Sequence, residues 1–391
     1  MNIDHIREDI PILRKTNYLN TAASGPVLRP VKDAVETRWD NWERGEQVEL
    51  PDTRGEVGKL LHCSRDNIAL IHRASQGINL VSDIIKPKNG QNIVLTDLSY
   101  PSSVYPWLKH REKGVEIRLV HNSNGLITLD DYKRAIDNNT CLVNLNRVEW
   151  SSGLRNNVKE ITKIAHEHGS IVLDDAFQAV GVLDVDPVKD GVDFLVFGGE
   201  KWMCCLARAA ALYVATDVID QYQPSFRFYW RVYEDFTWDQ APWGKPEHDN
   251  IKSWDRPVVT TAEKFDPGCV GEDAQMGFQE SLRYINELDI TNVQERDLKL
   301  SGYLIEGLKD LGVKIITPVE DYSRAGIVTY SLGTYELNQL SYNAFKQAGI
   351  VVSHRYVGGV GGIRISPHFF NTEVNIDEAL QVQKIILKCS L

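Results

Sequence analysis

SIVLDDAFQAVGVLDVDPVKDGVDFLVFGGEKW, residues 170–202, decides the fold. Two short apolar runs, Ile171–Leu173 and Phe194–Phe197, are rich in β-forming residues and bounded by glycine or charge. That is the pattern of strands buried on both faces in a parallel sheet. The first runs into Asp174 and Asp175, the second into Gly198-Gly199-Glu200-Lys201. Ligands of open α/β sheets bind beyond the carboxyl ends of the strands. An acid closing one strand and a lysine just past another are therefore placed to face one ligand.

The same alternation extends in both directions. Strands are predicted over 68–71, 92–96, 115–120, 141–146 and 209–215 from short apolar runs ended by turn residues, and helices over 27–44, 54–62, 130–137, 156–168, 272–288 and 290–312 from apolar spacing. A further helix follows strand 68–71 and runs to about Ile85. Residues 1–16 read as a short helix carrying Ile3, Ile6, Ile10 and Leu13 and broken at Pro11. From Val313 onward strands and helices alternate again, as in a smaller α/β unit. The class is α/β, a mostly parallel central sheet flanked by helices.

The net charge of −11 argues against nucleic acid or an anionic membrane as partner. No apolar run approaches a spanning helix, and acids occupy the N-terminus where a signal peptide needs an apolar core. A cytoplasmic protein is the expectation. Six cysteines, Cys63, Cys141, Cys204, Cys205, Cys269 and Cys389, form no CxxC pair and offer no metal-ligand spacing; reduced thiols and no metal are expected. Residues 222–243 concentrate aromatic side chains among charges and prolines, suited to a pocket wall or a subunit interface.

A lysine amine and a carboxylate at strand ends are what pyridoxal 5′-phosphate (PLP) requires. The amine bonds its aldehyde carbon, and the carboxylate keeps the pyridine nitrogen protonated so that the ring draws electrons. Asp175-Ala-Phe-Gln178 followed by Phe197-Gly-Gly-Glu-Lys201 is similar to the aspartate-x-x-glutamine and glycine-x-lysine motifs of the class V aminotransferases. These PLP enzymes of fold type I include cysteine desulfurases, kynureninases, isopenicillin N epimerase and a cystine C–S lyase.

Other stretches resemble the family in order along the chain. Tyr18-Leu-Asn-Thr-Ala-Ala-Ser-Gly-Pro26 resembles the small-residue loop that lines the substrate pocket, which implies a substrate-side place for Ala23 and Ser24. Ala74, Ser75 and Gln76, between a strand and a helix, take the positions of the phosphate cup, where backbone N–H groups meet the anion. Tyr100 stands where many members stack a histidine on the PLP ring. Trp150, placed by Gly153, stands where the family has an asparagine near the ring 3′-oxygen, and Gln178 is implied to lie near the same oxygen. Gly198 is implied at the cofactor. Glu200 is expected to turn away from the phosphate, since like charges repel. Glu263-Lys-Phe-Asp-Pro-Gly-Cys269 resembles the loop that reaches the partner subunit's phosphate, with Cys269 in place of a threonine. Arg364, in Arg364-Ile-Ser-Pro-His-Phe-Phe-Asn371-Thr372, matches the arginine that clamps the substrate carboxylate.

The resemblance implies a homodimer with shared active sites, a large PLP-binding domain of residues 17–274 and a small domain of residues 1–16 with 275–391. It implies Lys201 and Asp175 as catalytic residues and a small amino acid as substrate. The expected reaction is at the α-carbon of that amino acid, as aminotransferase or C–S lyase. An epimerase and a PLP-fold binding protein without catalysis are the alternatives. Residues 349–364 hold no cysteine, where the desulfurases carry their nucleophilic thiol. The expectation from that gap is that the chain is not a persulfide-forming cysteine desulfurase.

Overall fold

The structure, a computed structural model, describes residues 1–46, 49–224, 258–268 and 270–390. After β1 (Asn17–Tyr18), seven strands form the principal sheet: β2 (Ile68–Ile71), β3 (Asn92–Thr96), β4 (Glu116–Val120), β5 (Thr140–Asn146), β6 (Ile171–Asp175), β7 (Phe194–Gly198) and β8 (Ala210–Val214). Their order is β2-β8-β7-β6-β5-β3-β4. Neighbours from β7 through β4 run parallel, and β8 alone is reversed, antiparallel to both β7 and β2. The carboxyl ends of the other six strands therefore open on one edge.

Successive residues of a strand face opposite sides of the sheet. Leu195 and Phe197 accordingly belong to one buried core, and Phe194 and Val196 to the other. Helix α1 (Arg29–Glu43), helix α2 (Thr53–Leu60), helix α4 (Val158–Glu167) and helix α5 (Glu272–Leu288) contribute to the first core. Helix α3 (Ala74–Ile85) covers the second with Ile78 and Val81. Gly77 lets α3 lie directly on β7: a Cβ there would meet Val196 Cγ1 at 2.7 Å.

A third core lies under a four-stranded antiparallel sheet of order β12-β13-β10-β9. Its strands are β9 (Lys314–Ile315), β10 (Val328–Ser331), β12 (Ser353–Val357) and β13 (Val360–Ile365), with β11 (Ile350–Val351) paired to β1. Helix α6 (Ile290–Asp310), helix α7 (Tyr335–Gln347) and helix α8 (Glu373–Ser390) pack against it through Leu300, Leu304, Phe345 and Ile376. The division expected at 274/275 falls inside the continuous helix α5, whose Phe278, Leu282 and Ile285 join Val31 and Val57 in the core of the principal sheet. Ile6 and Ile10 of the N-terminal segment enter that core too. Burial of apolar faces, not the change of pattern along the chain, decides which unit a segment joins.

Among the described residues no helix is long and apolar enough to cross a membrane, and no group of three or more His, Cys, Asp or Glu is arranged to hold a metal ion.

Candidate active site

The edge where the parallel strands end, with the smaller sheet that faces it, gathers residues from seven places in the sequence. Asp175 closes β6 and is buried. Its Oδ1 accepts the Phe177 backbone N–H at 3.1 Å, and its Oδ2 accepts the Ser103 hydroxyl. Burial pushes the Asp175 carboxyl up, while Ser103, the Phe177 N–H and Lys201 pull it down. Lys201 follows β7 and lies 4.0 Å from the Phe177 ring centre and 5.6 Å from that of Tyr100. Among the described residues, no hydrogen bond or ion pair engages its amine. Burial pushes the amine down to about 8, Arg364 adds to the effect, and Asp175 and Glu200 oppose it. An amine so placed is neutral, hence nucleophilic, in a far larger share of molecules near neutral pH than an exposed lysine is.

Arg364 lies on β13, 1% exposed, and faces the same space from the smaller sheet. Its Nη1 donates to the Trp150 carbonyl at 2.6 Å, while Nε is buried without a partner. No carboxylate among the described residues pairs with it. Burial, with Arg355, pushes it down to about 9. A buried guanidinium without a counter-ion is costly unless a ligand supplies one.

Trp150 sits after β5 in a tight loop whose Gly153 holds φ +75°, and a Cβ there would strike the Ile327 carbonyl at 2.6 Å. The Trp150 ring meets Tyr100 edge-on, centres 5.3 Å apart, and its buried indole N–H has no partner. Ala74, Ser75 and Gln76 open α3, whose N-cap Arg73 offers no side-chain cap; Ser75 and Gln76 are half-buried. The Gln76 N–H already bonds the Arg73 carbonyl at 2.9 Å, so the free N–H donors of this helix start are those of Ala74 and Ser75. The Gln76 side chain is engaged locally, accepting the His72 N–H at 2.9 Å. Glu200 turns toward Arg73, 3.8 Å away. Gly198 leaves no room for a side chain, since a Cβ would lie 2.5 Å from the Phe177 ring.

The Gln178 amide ties neighbouring segments together: it donates to the Ala22 carbonyl at 3.0 Å and accepts the Trp202 indole N–H at 2.8 Å. It braces the loop bearing Ala23 and Ser24, in which Ser24 is exposed and Gly25 packs against the Lys201 carbonyl. Cys269 and residues 225–243 of the aromatic stretch lie outside the described residues.

Four nearby residues were not singled out in the sequence. Ser103 and Phe177 frame Asp175 and Lys201. Glu149, fully buried, accepts from Thr96 at 3.2 Å, Asn146 at 3.0 Å and Asn156 at 3.2 Å, and burial pushes it up to about 8 against those donors. His368 touches the residue after Lys201. Polar residues spaced this far apart give no local signal; only the packing reveals them.

The residues fit PLP. A buried carboxylate held by two donors suits a pyridinium nitrogen, an amine free of other bonds suits an aldehyde, and an uncapped helix start suits a phosphate. Behind Arg364 a further anion is called for.

The chain resembles known proteins over nearly its whole length. It is 26% identical to a probable cysteine desulfurase of Methanothermobacter thermautotrophicus, covering 96% of both chains. It is 25% identical to a cysteine desulfurase of Haloferax volcanii, covering 97% of this chain and 95% of the relative. The structure superposes on the apo cysteine desulfurase of Thermococcus onnurineus NA1 with a TM-score of 0.84 at 21% identity, covering 99% and 98% of the two chains. These relatives overturn the expectation that the chain is not a persulfide-forming cysteine desulfurase. That expectation rested on an interval without a thiol, residues 349–364, which here forms β11, β12 and most of β13, and on Tyr100 in place of a histidine. A missing thiol in one interval bears on where a sulfur acceptor sits, not on whether a C–S bond is broken. The sequence profile of the class-V aminotransferases matches residues 41–244, more than half the chain and inclusive of Lys201. The protein belongs to the class-V aminotransferase family, and it is an enzyme whose cofactor is PLP.

Proposed function

We propose that this enzyme is a cysteine desulfurase: it breaks the C–S bond of cysteine, passes the sulfur atom to a thiol, and releases alanine. The balance is cysteine plus thiol giving alanine plus persulfide. The observation that carries the reading is the facing pair of cations, Lys201 with a depressed amine and Arg364 without a carboxylate, above the buried Asp175. The names of the relatives support the choice of cysteine.

When bound, PLP supplies an electron sink next to the substrate α-carbon. Lys201 would hold the aldehyde carbon of PLP, and its amine would move the proton at the substrate α-carbon. Asp175, fixed by Ser103 and the Phe177 N–H, keeps the ring nitrogen protonated. The start of α3, Ala74 to Gln76, with Gly198 beside it, receives the phosphate. Tyr100 would cover the ring, and the unpartnered Trp150 indole N–H and the Gln178 amide would supply donors to its oxygen. Arg364 takes the substrate carboxylate in its planar fork, beside the loop of Ala23 and Ser24. The working form is a cytoplasmic homodimer.

To test this, the holoenzyme is given cysteine and dithiothreitol. Alanine and sulfide should appear in equal amounts, and Lys201→Ala should lose both products and the visible band of bound PLP. Pyruvate and ammonia without alanine, or turnover that survives Lys201→Ala, would sink the reading.

A further inference from the structure

His368 sits four residues beyond Arg364 and is fully buried. Its Nε2 lies 2.7 Å from the carbonyl oxygen of Trp202, the residue that follows Lys201. A carbonyl can only accept, so Nε2 carries a proton and donates it. On the other side Nδ1 lies 2.6 Å from Asp297 Oδ2, on α6, and Asp297 is itself 1% exposed. The preceding residue of α6, Arg296, donates to the Phe369 carbonyl at 2.6 Å and to the Asn371 carbonyl. Two successive residues of one helix thus hold the segment 368–371 in place. The His368 ring also meets the Trp202 ring edge-on at 5.1 Å.

The link continues into the site. The Trp202 indole N–H bonds Gln178, whose amide bonds the Ala22 carbonyl, and the Ala22 N–H bonds the Ser366 hydroxyl at 3.0 Å. Every side chain in this loop of bonds is at most 4% exposed. Arg364 belongs to the smaller sheet and Lys201 to the principal one. The bond from His368 to Trp202 is where the strand that carries the first is tied to the turn that carries the second.

We propose that His368 is a positioning residue: oriented by Asp297, its Nε2–H grips the Trp202 carbonyl and fixes the Lys201 amine with respect to Arg364. The inference rests on the reading of Lys201 as the amine that bonds PLP. Arg364 keeps its own bond to the Trp150 carbonyl, so loss of the grip displaces the amine and leaves the carboxylate site in place.

Two substitutions separate the two bonds of the ring. Asparagine puts an amide nitrogen near the place of Nδ1, toward Asp297, and glutamine puts one near the place of Nε2, toward Trp202. Holoenzymes reconstituted with PLP are compared for the pH midpoint of the visible band and for turnover of cysteine. Misplacement of a reacting group by about 1 Å costs up to ~100-fold. For His368→Asn we expect kcat to fall about 10- to 100-fold with KM within about threefold of wild type, and the spectral midpoint to move. His368→Gln should bring kcat back to within about threefold of wild type and restore the midpoint. Equal impairment of the two variants, or a rise in KM with kcat unchanged, would overturn the proposal. If His368→Asn does not fold, Asp297→Leu, which leaves the ring without its orienting partner, should lower kcat with KM held; wild-type kcat in that variant overturns it as well. A visible band unchanged in Lys201→Ala refutes the reading of Lys201 as the amine that bonds PLP, whatever the His368 variants do.

Discussion

Replacing Arg147 by methionine removes the guanidinium that closes the strand end beside Asp175 and leaves a side chain of similar length. Arg147 donates through Nε to Asp174 at 2.7 Å and through Nη1 to Asp190 at 2.6 Å. Burial works against its charge, and the two carboxylates more than offset that. The partners are unequal: the Asp174 side chain is 0% exposed and the Asp190 side chain 20% exposed. In the variant Asp190 rehydrates, whereas Asp174 cannot. Breaking one side of a buried pair costs about 3–5 kcal/mol because a buried charge is left alone. Asp174 is already pushed up to about 6 by burial, against the pull of Arg147, and without Arg147 it rises further. A carboxyl whose folded value lies above its unfolded one binds more protons in the folded state, so stability falls as pH rises through that window. The penalty of Arg147→Met should therefore be smaller at pH 5 than at pH 8. Urea unfolding followed by tryptophan fluorescence at both pH values measures it, and Asp174→Asn in the same background should recover about half or more of the loss. A loss under about 1 kcal/mol at pH 8, an equal loss at both pH values, or no recovery in the double variant would refute the reasoning.

Arg364→Gln should raise KM for cysteine about 100-fold while kcat changes less, measured by alanine formation, because it removes a charge and one arm of a planar fork from a buried site. Asp175→Asn should retain bound PLP, visible in the absorbance spectrum, yet lower kcat by about 100- to 1000-fold, the scale of losing one preorganised charge. In the PLP-free protein, labelling of the Lys201 amine by an amine-reactive reagent, followed by mass spectrometry, should rise through pH 8, well below the range of exposed lysines. Stability of that form should increase as pH climbs from about 8 toward the ordinary lysine range, since the unfolded chain then binds the extra proton.

The sheet was legible because its strands are buried on both faces and end abruptly in charge or small polar residues. Ile171–Leu173 and Phe194–Phe197 fall within β6 and β7, and Asp175 and Lys201 stand at their ends as expected. Ala74, Tyr100 and Trp150 each follow a strand end that the apolar pattern had already located, whereas Arg364, inside β13, was reached by motif alone. Glu149, Ser103 and His368 could not, because what singles them out is a partner on another element: Asn156 and Thr96 around Glu149, Asp175 beside Ser103, Asp297 beside His368. Periodicity found α5 whole, at 272–288, but could not show which core covers its apolar face. The error about sulfur chemistry has a similar origin. A local absence in the sequence was taken for a property of the whole site.

The single reversed strand, β8, lies between β7 and β2. Strands in a sheet are spaced about 4.8 Å apart, so β8 is a spacer that sets the start of α3 about 10 Å from the strand of Lys201, while Asp175 on β6 is one step, about 5 Å, on the other side. Because it runs the opposite way, β8 presents its amino end at the reactive edge and carries its following loop to the far side of the sheet. The turn that enters β8 from β7, residues 199–209, therefore lies at that edge and carries Lys201. The sheet thus works as a ruler of unequal divisions, a short one to Asp175 and a long one to the start of α3.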